Sequence, residues 1–535
     1  MKHIFTSLLI GLTILSHGQM LDPKSKEELD ELIQSQVQDT LAPGLAIGIV
    51  KDGKIIYEAY SGYADIKNST PLDGTSRFNY ASSGKQFTAL AILTLIEKGG
   101  LKLDDDIRKY LPEFYPNVEE KIEIQHLITH TSGIRDVYHL WNLQGVTWWE
   151  ESFSNDDALE LLSKQEELSF KPGERYLYSN SNYLILTEII ELVTSISFDT
   201  FMRNLFNNLG MSDTAFEPNH EDIPKRVLPY GYWKRYRMYE WNADLIGDGA
   251  LFTSLPNQLR WEAMLQNEKS DFLSKKSLNQ SQKPIASSTI TNYGYGLEFE
   301  EGRSFHHGAT GAYGATFARY SNENLSIVVM TNYSNILASM ITDKCYEILS
   351  GTTYSPTSSR KPQTIGNFVS VEELLGTYKT SGGYYYRFVE RSDTLFLERT
   401  NREPVALEHE EGNIYHEIND PDFQQQFTID PEVGMQVTAY YPTHDSYTLT
   451  KQDISWEDYD FKKLNGKYYS DELDVTFKVK HASGETYDII FDYKTYTIQA
   501  FEPNILWVKG FKADVVDDAF LLSSSRNLNV RFKKK

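Results

Sequence analysis

Residues 80–100 read YASSGKQFTALAILTLIEKGG and contain a serine and a lysine three positions apart, Ser82 and Lys85. Residues at that spacing share one face of a helix. The apolar run that follows them, and the glycine pair that closes it, predict a buried helix with a left-handed cap. Ser82 is expected in the first turn, where free backbone N–H groups and the helix dipole stabilise negative charge.

This pair has the chemistry of an activated nucleophile. A serine hydroxyl attacks well only when a neighbouring base takes its proton, and Lys85 is placed to do so. The same Ser-x-x-Lys pattern also fits a serine that caps a helix beside a solvated lysine. Motifs elsewhere in the chain must therefore decide between the two interpretations.

Composition narrows the class of protein. The chain has 535 residues and a formal net charge of −23, and that charge argues against nucleic acid and anionic membranes as partners. Its single cysteine, Cys345, rules out an internal disulfide. His126 and His130 have the spacing of a helical metal pair, but no third ligand is evident nearby. We therefore expect neither a metal nor another cofactor, and the oligomeric state stays open.

The first residues, MKHIFTSLLIGLTILSHG, have the pattern of a secretory signal. A basic start precedes a short apolar run at residues 4–15, and small residues follow at positions 16 and 18. The run is too short to span a bilayer. We expect residues 1–18 to be cleaved off after Gly18, leaving an exported, soluble protein, periplasmic or extracellular, without a membrane span.

The order of predicted elements indicates an α+β fold. Residues 44–50 and 55–62 read as strands joined by an Asp-Gly turn, which is a strong hairpin signal. Two further strands, at about 314–320 and 325–331, follow a mainly helical stretch. An antiparallel sheet assembled from distant parts of the chain, flanked by helices and joined by a helical subdomain, is expected over residues 19–352.

The remainder of the chain has the pattern of small β-domains. Residues 353–370 are rich in Ser, Thr and Pro and read as a linker. Beyond them, alternating strands open at Gly376 and again at Gly466, each two positions before a tyrosine. We expect two related antiparallel β-barrels, at residues 371–455 and 456–535.

A second motif combines Tyr178 and Asn180, between a Pro-Gly turn and a predicted helix. A tyrosine is a capable base when a cation such as Lys85 lowers its pKa, and an asparagine amide can bridge a lysine and a substrate. An ordinary turn tyrosine fits the same pattern. Tyr178 and Asn180 therefore indicate a catalytic site only in combination with Ser82 and Lys85.

A third motif, His306, Gly308 and Ala309, lies near the start of a predicted strand. The histidine can hydrogen-bond a substrate carboxylate or carbonyl, and the glycine lets a substrate backbone approach. The N–H groups of Ala309 and Ser82 can together form an oxyanion hole. A pair of surface histidines before a glycine-rich turn is the alternative.

In this order and with these flanks, the three motifs resemble the serine β-lactamase and penicillin-recognising family. The nearest branch is that of class C-type β-lactamases, D-aminopeptidases and esterases. The resemblance covers about residues 25–350 and includes LITHTSG at 127–133 and YSNSNY at 178–183. It implies a β-lactamase-like domain, in which the HTSG segment is structural.

The resemblance also implies roles for individual residues. Ser82 is the residue to be acylated, and Lys85 and Tyr178 share the proton transfers, with the identity of the general base left open. Asn180 holds the substrate amide, and the N–H groups of Ser82 and Ala309 bind the oxyanion.

One position departs from the β-lactamase pattern. Where that pattern has Lys-Thr-Gly, this chain has His306, His307 and Gly308. A histidine is largely neutral at pH 7, so tight anchoring of an antibiotic carboxylate is not expected. With His306 and Gly308 as substrate-binding candidates, the site looks more like that of an esterase or D-aminopeptidase.

We therefore expect a serine hydrolase that acts through an acyl-enzyme on small esters, amides or peptides with D-residues. Its partner is a small-molecule or peptide substrate. The C-terminal segments resemble the accessory β-barrels of D-aminopeptidases, which implies that a barrel loop can reach the active site. Two alternatives stay open: a true β-lactamase or penicillin-binding protein, and a non-catalytic module that binds peptides or glycans.

Overall fold

The computed structural model of the chain describes residues 21–37, 39, 41–217, 219–232, 234–239, 244–270, 273–285, 290–300, 302–351, 369–400, 402–440 and 446–535. The predicted signal peptide and residues 353–368 of the predicted linker lie outside these ranges. Within them, no helix has the length and apolar character needed to cross a membrane.

The N-terminal domain is built on an antiparallel sheet whose seven strands come from distant parts of the chain. In spatial order they are Tyr293–Gly294, Leu297–Glu300, Arg303–Thr310, Tyr313–Tyr320, Leu325–Thr331, Leu45–Lys51 and Lys54–Ser61. The first hairpin thus pairs with the last strand, and Leu45 lies opposite Thr331. Smaller sheets join Tyr63–Asp65 to Thr70–Pro71, Leu251–Thr253 to Phe78–Asn79 and Ala215–Phe216, and Tyr230–Tyr232 to Tyr236–Met238.

Helices cover both faces of the large sheet. The described helices of the whole N-terminal domain, including those of the helical subdomain, are Pro23–Ser35, Lys85–Glu97, Ile124–Ile128, Val137–Gln144, Asn155–Ser163, Ser181–Thr194, Phe198–Asn208, Leu255–Gln266, Lys275–Ser281 and Ala338–Ser350. Short 3-10 turns lie at Ala81–Gly84, Ile107–Lys109, His220–Asp222 and Ser321–Glu323. The first and last helices pack on one face and the Lys85–Glu97 helix on the other, and each interface buries an apolar cluster. The predicted α+β fold is confirmed.

The helix Lys85–Glu97, called the serine helix below, is enclosed by the domain. Its residues from Lys85 to Leu95 are all buried, as expected of a helix that is apolar on nearly every side. Gly99 follows it in a left-handed conformation, with φ +78°. The Gly100 N–H donates to the Leu95 carbonyl at 2.9 Å, which forms the cap predicted from the glycine pair.

A buried ion pair ties the serine helix to the sheet. Arg319 donates to both carboxylate oxygens of Glu262, at 2.8 and 2.7 Å, and to the side-chain oxygen of Gln86 at 2.6 Å. The Trp261 indole N–H donates to the same Gln86 oxygen at 2.9 Å. Bidentate bonds of this kind fix geometry as well as contribute energy.

Two antiparallel β-barrels of eight strands each follow. Barrel one is closed, begins after the short helix Val371–Leu374, and has the strands Gly376–Lys379, Tyr385–Arg391, Thr394–Arg399, Val405–Glu411, Ile414–Glu417, Asp420–Asp430, Gly434–Tyr440 and Tyr447–Lys451. Barrel two is nearly closed and has the strands Gly466–Ser470, Val475–Ser483, Thr486–Phe491, Thr495–Gln499, Ile505–Val508, Phe511–Val516, Ala519–Ser523 and Val530–Lys534.

The repeated Gly-x-Tyr motif has the same structural role in both barrels. The Tyr378 hydroxyl donates to the Leu374 carbonyl at 2.9 Å, and the Tyr468 hydroxyl donates to the Leu464 carbonyl at 3.0 Å. In each case this hydrogen bond ties the first strand of the barrel to the residue four positions before the tyrosine. The predicted pair of antiparallel barrels is confirmed.

Barrel two packs directly on the N-terminal domain. Their buried apolar side chains form one continuous core, whereas barrel one has a core of its own. Arg135, whose side chain has no exposed surface, donates to Glu472 at 2.5 Å and to the Asn529 carbonyl at 3.2 Å. The other Glu472 oxygen accepts the N–H groups of Glu166 and Glu167. This pair anchors barrel two to the N-terminal domain.

We predict that Glu472→Ala lowers the stability of the N-terminal domain and barrel two by about 3–5 kcal/mol, because buried Arg135 loses its nearest carboxylate. Asp471→Ala is the matched control, since Asp471 and its partner Lys533 are both 66% exposed and such pairs contribute about 0–1 kcal/mol. Differential scanning calorimetry of the full chain would measure both. Equal melting temperatures for the two variants would contradict the anchoring role of Glu472.

Candidate active site

A sharp turn presents Ser82 between a strand and the serine helix. After the strand Phe78–Asn79, Ala81 adopts a left-handed conformation with φ +46°, which is uncommon for a residue with a side chain. The Asn79 side chain holds the turn by accepting the Ala81 N–H at 2.9 Å. Ser82 follows in a 3-10 turn directly before the helix and is partly exposed, whereas Ala81 and Ser83 are buried. Backbone strain of this kind clusters at functional sites.

The ammonium group of Lys85 lies next to the Ser82 hydroxyl. The Lys85 side chain is fully buried, and its Nζ is 3.2 Å from Ser82 Oγ and 2.8 Å from Asn180 Oδ1. The backbone carbonyl of Asp248 accepts the third hydrogen bond. Burial lowers the pKa of Lys85 to about 8, and the Asp248 carboxylate opposes that shift. Such a lysine has a neutral fraction near pH 7 that can accept a proton.

Tyr178 stands beside the same serine. Lys85 Nζ is 5.1 Å from the centroid of its ring. Its hydroxyl is buried near Ser82 but outside hydrogen-bond geometry with every residue that the structure describes. Burial raises the pKa of Tyr178 well above its usual value, while Ser82 and Arg526 oppose the shift. Between the two candidate bases, Lys85 is therefore the easier to deprotonate.

His130 supports Tyr178 from within the fold. Their ring centroids are 4.2 Å apart, and His130 Nδ1 accepts hydrogen bonds from the Ser179 N–H at 3.3 Å and the Asn182 amide at 3.1 Å. The Ser132 hydroxyl donates to the Asn182 side-chain oxygen at 2.6 Å. These contacts suit the structural role expected of the HTSG segment.

Asn180 connects Lys85 to a buried carboxylate. The side-chain nitrogen and the backbone N–H of Asn180 donate to Asp136 Oδ2 at 3.0 and 2.8 Å. The side chain of Asp136 has no exposed surface. Asp136 therefore fixes the orientation of the Asn180 amide, with its oxygen directed at the lysine.

The His306 side chain is buried behind Tyr178, with their ring centroids 6.3 Å apart. Its Nδ1 donates to the His307 carbonyl at 2.8 Å, so its Nε2 accepts from the Tyr293 hydroxyl at 3.0 Å. Burial lowers the pKa of His306 to about 3, which leaves the ring neutral. A Cβ on Gly308 would lie 2.5 Å from the Tyr80 carbonyl oxygen. Because Gly308 has no side chain, its strand can lie against the turn that precedes Ser82.

A cavity of about 620 Å³ adjoins Ser82. Its wall includes three of the predicted site residues, Ser82, Asn180 and Ala309. Apolar surface comes from Trp148 and Trp149. Among the described residues, the charged side chains of Asp248 and Arg526 also line it, and Arg526 belongs to barrel two.

The structure brings Ser82, Lys85, Tyr178 and Asn180 into one cluster, and their catalytic roles stay predictions. Sequence motifs did not reveal Asp136, Asp248 or Arg526 as members of the site. The Gly-Asp-Gly segment around Asp248 signals only a loop, and residues 523–527, SSSRN, contain no catalytic pattern. Within the described ranges, no group of three His, Cys, Asp or Glu residues has the geometry to hold a metal ion.

The chain is similar to proteins of one known family. A beta-lactamase family model matches residues 29–345. The chain belongs to the beta-lactamase family. Among its relatives, "Protein flp" from Staphylococcus aureus strain MRSA252 is 29% identical over 368 residues, which make up 66% of this chain and 72% of that protein. The predicted resemblance is confirmed.

Solved structures share the beta-lactamase-like fold at low identity. The octameric penicillin-binding protein homologue from Pyrococcus abyssi is 22% identical, with a TM-score of 0.54 over 80% of this chain and 98% of that one. The D-amino acid amidase from Ochrobactrum anthropi SV3, solved with D-phenylalanine, is 18% identical, with a TM-score of 0.50 over 61% of this chain and 99% of that one. The first similarity extends beyond the N-terminal domain into the barrels.

Proposed function

We propose that this beta-lactamase-family chain is an exported serine hydrolase that forms an acyl-enzyme at Ser82. Its substrates are small esters, amides or peptides with D-residues. The observation that carries the proposal is the 3.2 Å contact between Lys85 Nζ and Ser82 Oγ at the wall of an open cavity. A serine hydroxyl beside a buried lysine of lowered pKa is one of the arrangements that activate a nucleophile.

The neighbouring groups suit each step of an acyl transfer. Neutral Lys85 takes the Ser82 proton as the hydroxyl attacks the substrate carbonyl, and the protonated lysine gives that proton to the leaving group as its bond to the carbonyl breaks. Water then attacks the acyl-enzyme, its proton returns to Ser82 through the same lysine, and the acid is released. Tyr178, whose ring centroid lies 5.1 Å from Lys85 Nζ, is the second candidate for these proton transfers. The N–H groups of Ser82 and Ala309 stabilise the oxyanion. We favour Lys85 over Tyr178 as the base because its pKa lies nearer to the working pH.

The choice of substrate class follows from the histidine motif and the cavity. His306 is neutral and hydrogen-bonded to Tyr293, so it supplies no fixed positive charge where the β-lactamase pattern has a lysine. The cavity combines aromatic surface from Trp148 and Trp149 with polar groups, as small-molecule sites commonly do. The fold is shared with a D-amino acid amidase, which is in keeping with amide or ester substrates.

We predict that wild-type protein is labelled covalently by a fluorophosphonate and that Ser82→Ala is not, because the nucleophile is removed. Ser83→Ala is the matched control: this neighbouring hydroxyl is buried and bonds the His306 carbonyl at 3.2 Å, so labelling should persist. Intact-mass and peptide mass spectrometry would locate the adduct. An unlabelled wild type would favour a binding module, and hydrolysis of a chromogenic cephalosporin as fast as an activated ester would favour a β-lactamase.

We predict that the rate of Ser82 labelling rises about tenfold per pH unit up to about pH 8 and then levels off, since only neutral Lys85 accepts a proton. Below its pKa the lysine is protonated and has no lone pair, so the labelling rate falls as the pH falls. Stopped-flow labelling between pH 6 and 10 would record the profile. A rate that is flat up to pH 9, or that first rises above pH 10, would contradict Lys85 as the base.

Export is proposed on the sequence of residues 1–18, which lie outside the described residues. We predict that protein expressed with its native N-terminus in a bacterial host is recovered outside the cytoplasm and begins at Gln19. N-terminal sequencing of that fraction checks the cleavage site. Deletion of residues 2–18 should retain the protein in the cytoplasm. Full-length protein that begins at Met1 and stays in the cytoplasm would refute export.

A further inference from the structure

A loop of barrel two is fastened to the N-terminal domain next to the cavity. The Asn527 side chain forms hydrogen bonds to both the N–H and the carbonyl of Asp136. The Ser524 hydroxyl lies 2.8 Å from His139 Nδ1, and the Leu528 N–H donates to the Ser169 hydroxyl at 3.1 Å. With contacts on both sides of Arg526, the loop holds that residue at a fixed place on the cavity wall.

The guanidinium of Arg526 is close to the candidate catalytic groups. Its central carbon is 5.0 Å from the centroid of the Tyr178 ring, and its Nη1 is 3.5 Å from Asp136 Oδ2. That carboxylate oxygen already accepts two shorter hydrogen bonds from Asn180. A guanidinium has five N–H donors, and among the described residues its one side-chain hydrogen bond is this long contact to a shared oxygen, so donors are left for a ligand in the cavity.

Of the two charged side chains that the described part of the wall contributes, Arg526 is the more accessible. Its side chain is 36% exposed, whereas that of Asp136 is fully buried and Asp248 is 6% exposed. The Tyr138 hydroxyl donates to the Asp248 carboxylate at 2.9 Å. Lys85 has no exposed surface. A substrate that enters the cavity therefore meets a positive group, although the whole chain carries a net charge of −23.

We propose that Arg526 binds a carboxylate of the substrate, so that barrel two supplies the anion selectivity of the Ser82 site. Arginine recognises carboxylates through paired, charge-assisted hydrogen bonds. His306, neutral and bonded to Tyr293, does not provide this charge. The proposal rests on the function proposed above and specifies its substrates as esters or amides that carry a free carboxylate.

Two pairs of substrates test the proposal, because the carboxylate can lie on either side of the scissile bond. The acyl pair is 4-nitrophenyl hemiglutarate and its methyl ester; the leaving-group pair is 3-acetoxybenzoate and its methyl ester. We expect wild type to prefer the carboxylate member of at least one pair in kcat/KM. In Arg526→Gln that preference should fall about 10- to 100-fold, the usual value of a hydrogen bond to a charged group.

Two further variants sharpen the test. Arg526→Lys keeps the charge without the paired donors and should retain part of the preference. Arg531→Gln makes the same chemical change five positions along the same barrel, at a side chain that is 43% exposed and 3.8 Å from Glu167, and should leave both ratios at the wild-type value. No preference in wild type, or an unchanged ratio in Arg526→Gln, would overturn the proposal.

A second measurement needs no variant and no turnover. Glutarate or 3-hydroxybenzoate should slow the modification of Arg526 by phenylglyoxal in wild type, and the corresponding amides should not; peptide mass spectrometry locates the modified residue. Equal modification with acids and amides would overturn the proposal. Absence of fluorophosphonate labelling at Ser82 would instead overturn the proposed hydrolase function. In that case, protection of Arg526 would still show whether this residue binds carboxylates.

Discussion

A fully buried ammonium, that of Lys85, is the constraint on which the rest of the site depends. Transfer of a charged lysine out of water is costly unless its donors are satisfied, and this one is bonded to Ser82, Asn180 and the Asp248 carbonyl. The three acceptors belong to separate segments of the chain, so they meet only when the domain is complete. Burial lowers the pKa of the lysine. The enclosed side chain also holds its Nζ against the Ser82 hydroxyl.

The surrounding architecture serves this arrangement. The serine helix is apolar on nearly all sides and is enclosed by other helices and the sheet, while Arg319 and Glu262 fix it to the strands. The left-handed backbone of Ala81 turns the chain so that Ser82 stays accessible at the start of a buried helix. The strand that carries Gly308 can lie against this turn because the glycine has no side chain.

Barrel two has a part in the site as well as in the fold. Its core is continuous with that of the N-terminal domain, and the buried Arg135 meets Glu472 across the junction. Docking of this kind gives the Arg526 loop a fixed position on the cavity wall. The first domain thus contains the proposed acylation chemistry, and the barrel adds a charge that the histidine motif lacks.

Local patterns predicted much of this from sequence. The Asp-Gly hairpin, the closing strands and the glycine cap of the serine helix follow from short-range rules, and their observed limits lie within a few residues of those predicted. The motif residues Ser82, Lys85, Tyr178 and Asn180 lie close together in the structure, and their catalytic roles stay predictions. Asp136 and Arg526 escaped prediction because their place in the site comes only from tertiary contacts between segments hundreds of residues apart.

The most direct measurement is a crystal structure of the full chain after reaction with a phosphonate ester. We expect a phosphorus–oxygen bond at Ser82, a phosphonyl oxygen within hydrogen-bond distance of the N–H groups of Ser82 and Ala309, and Lys85 still in contact with the Ser82 oxygen. Attachment at another residue, or a Ser82 adduct with Lys85 and Tyr178 displaced from it, would contradict the role of Ser82 and Lys85 as nucleophile and base.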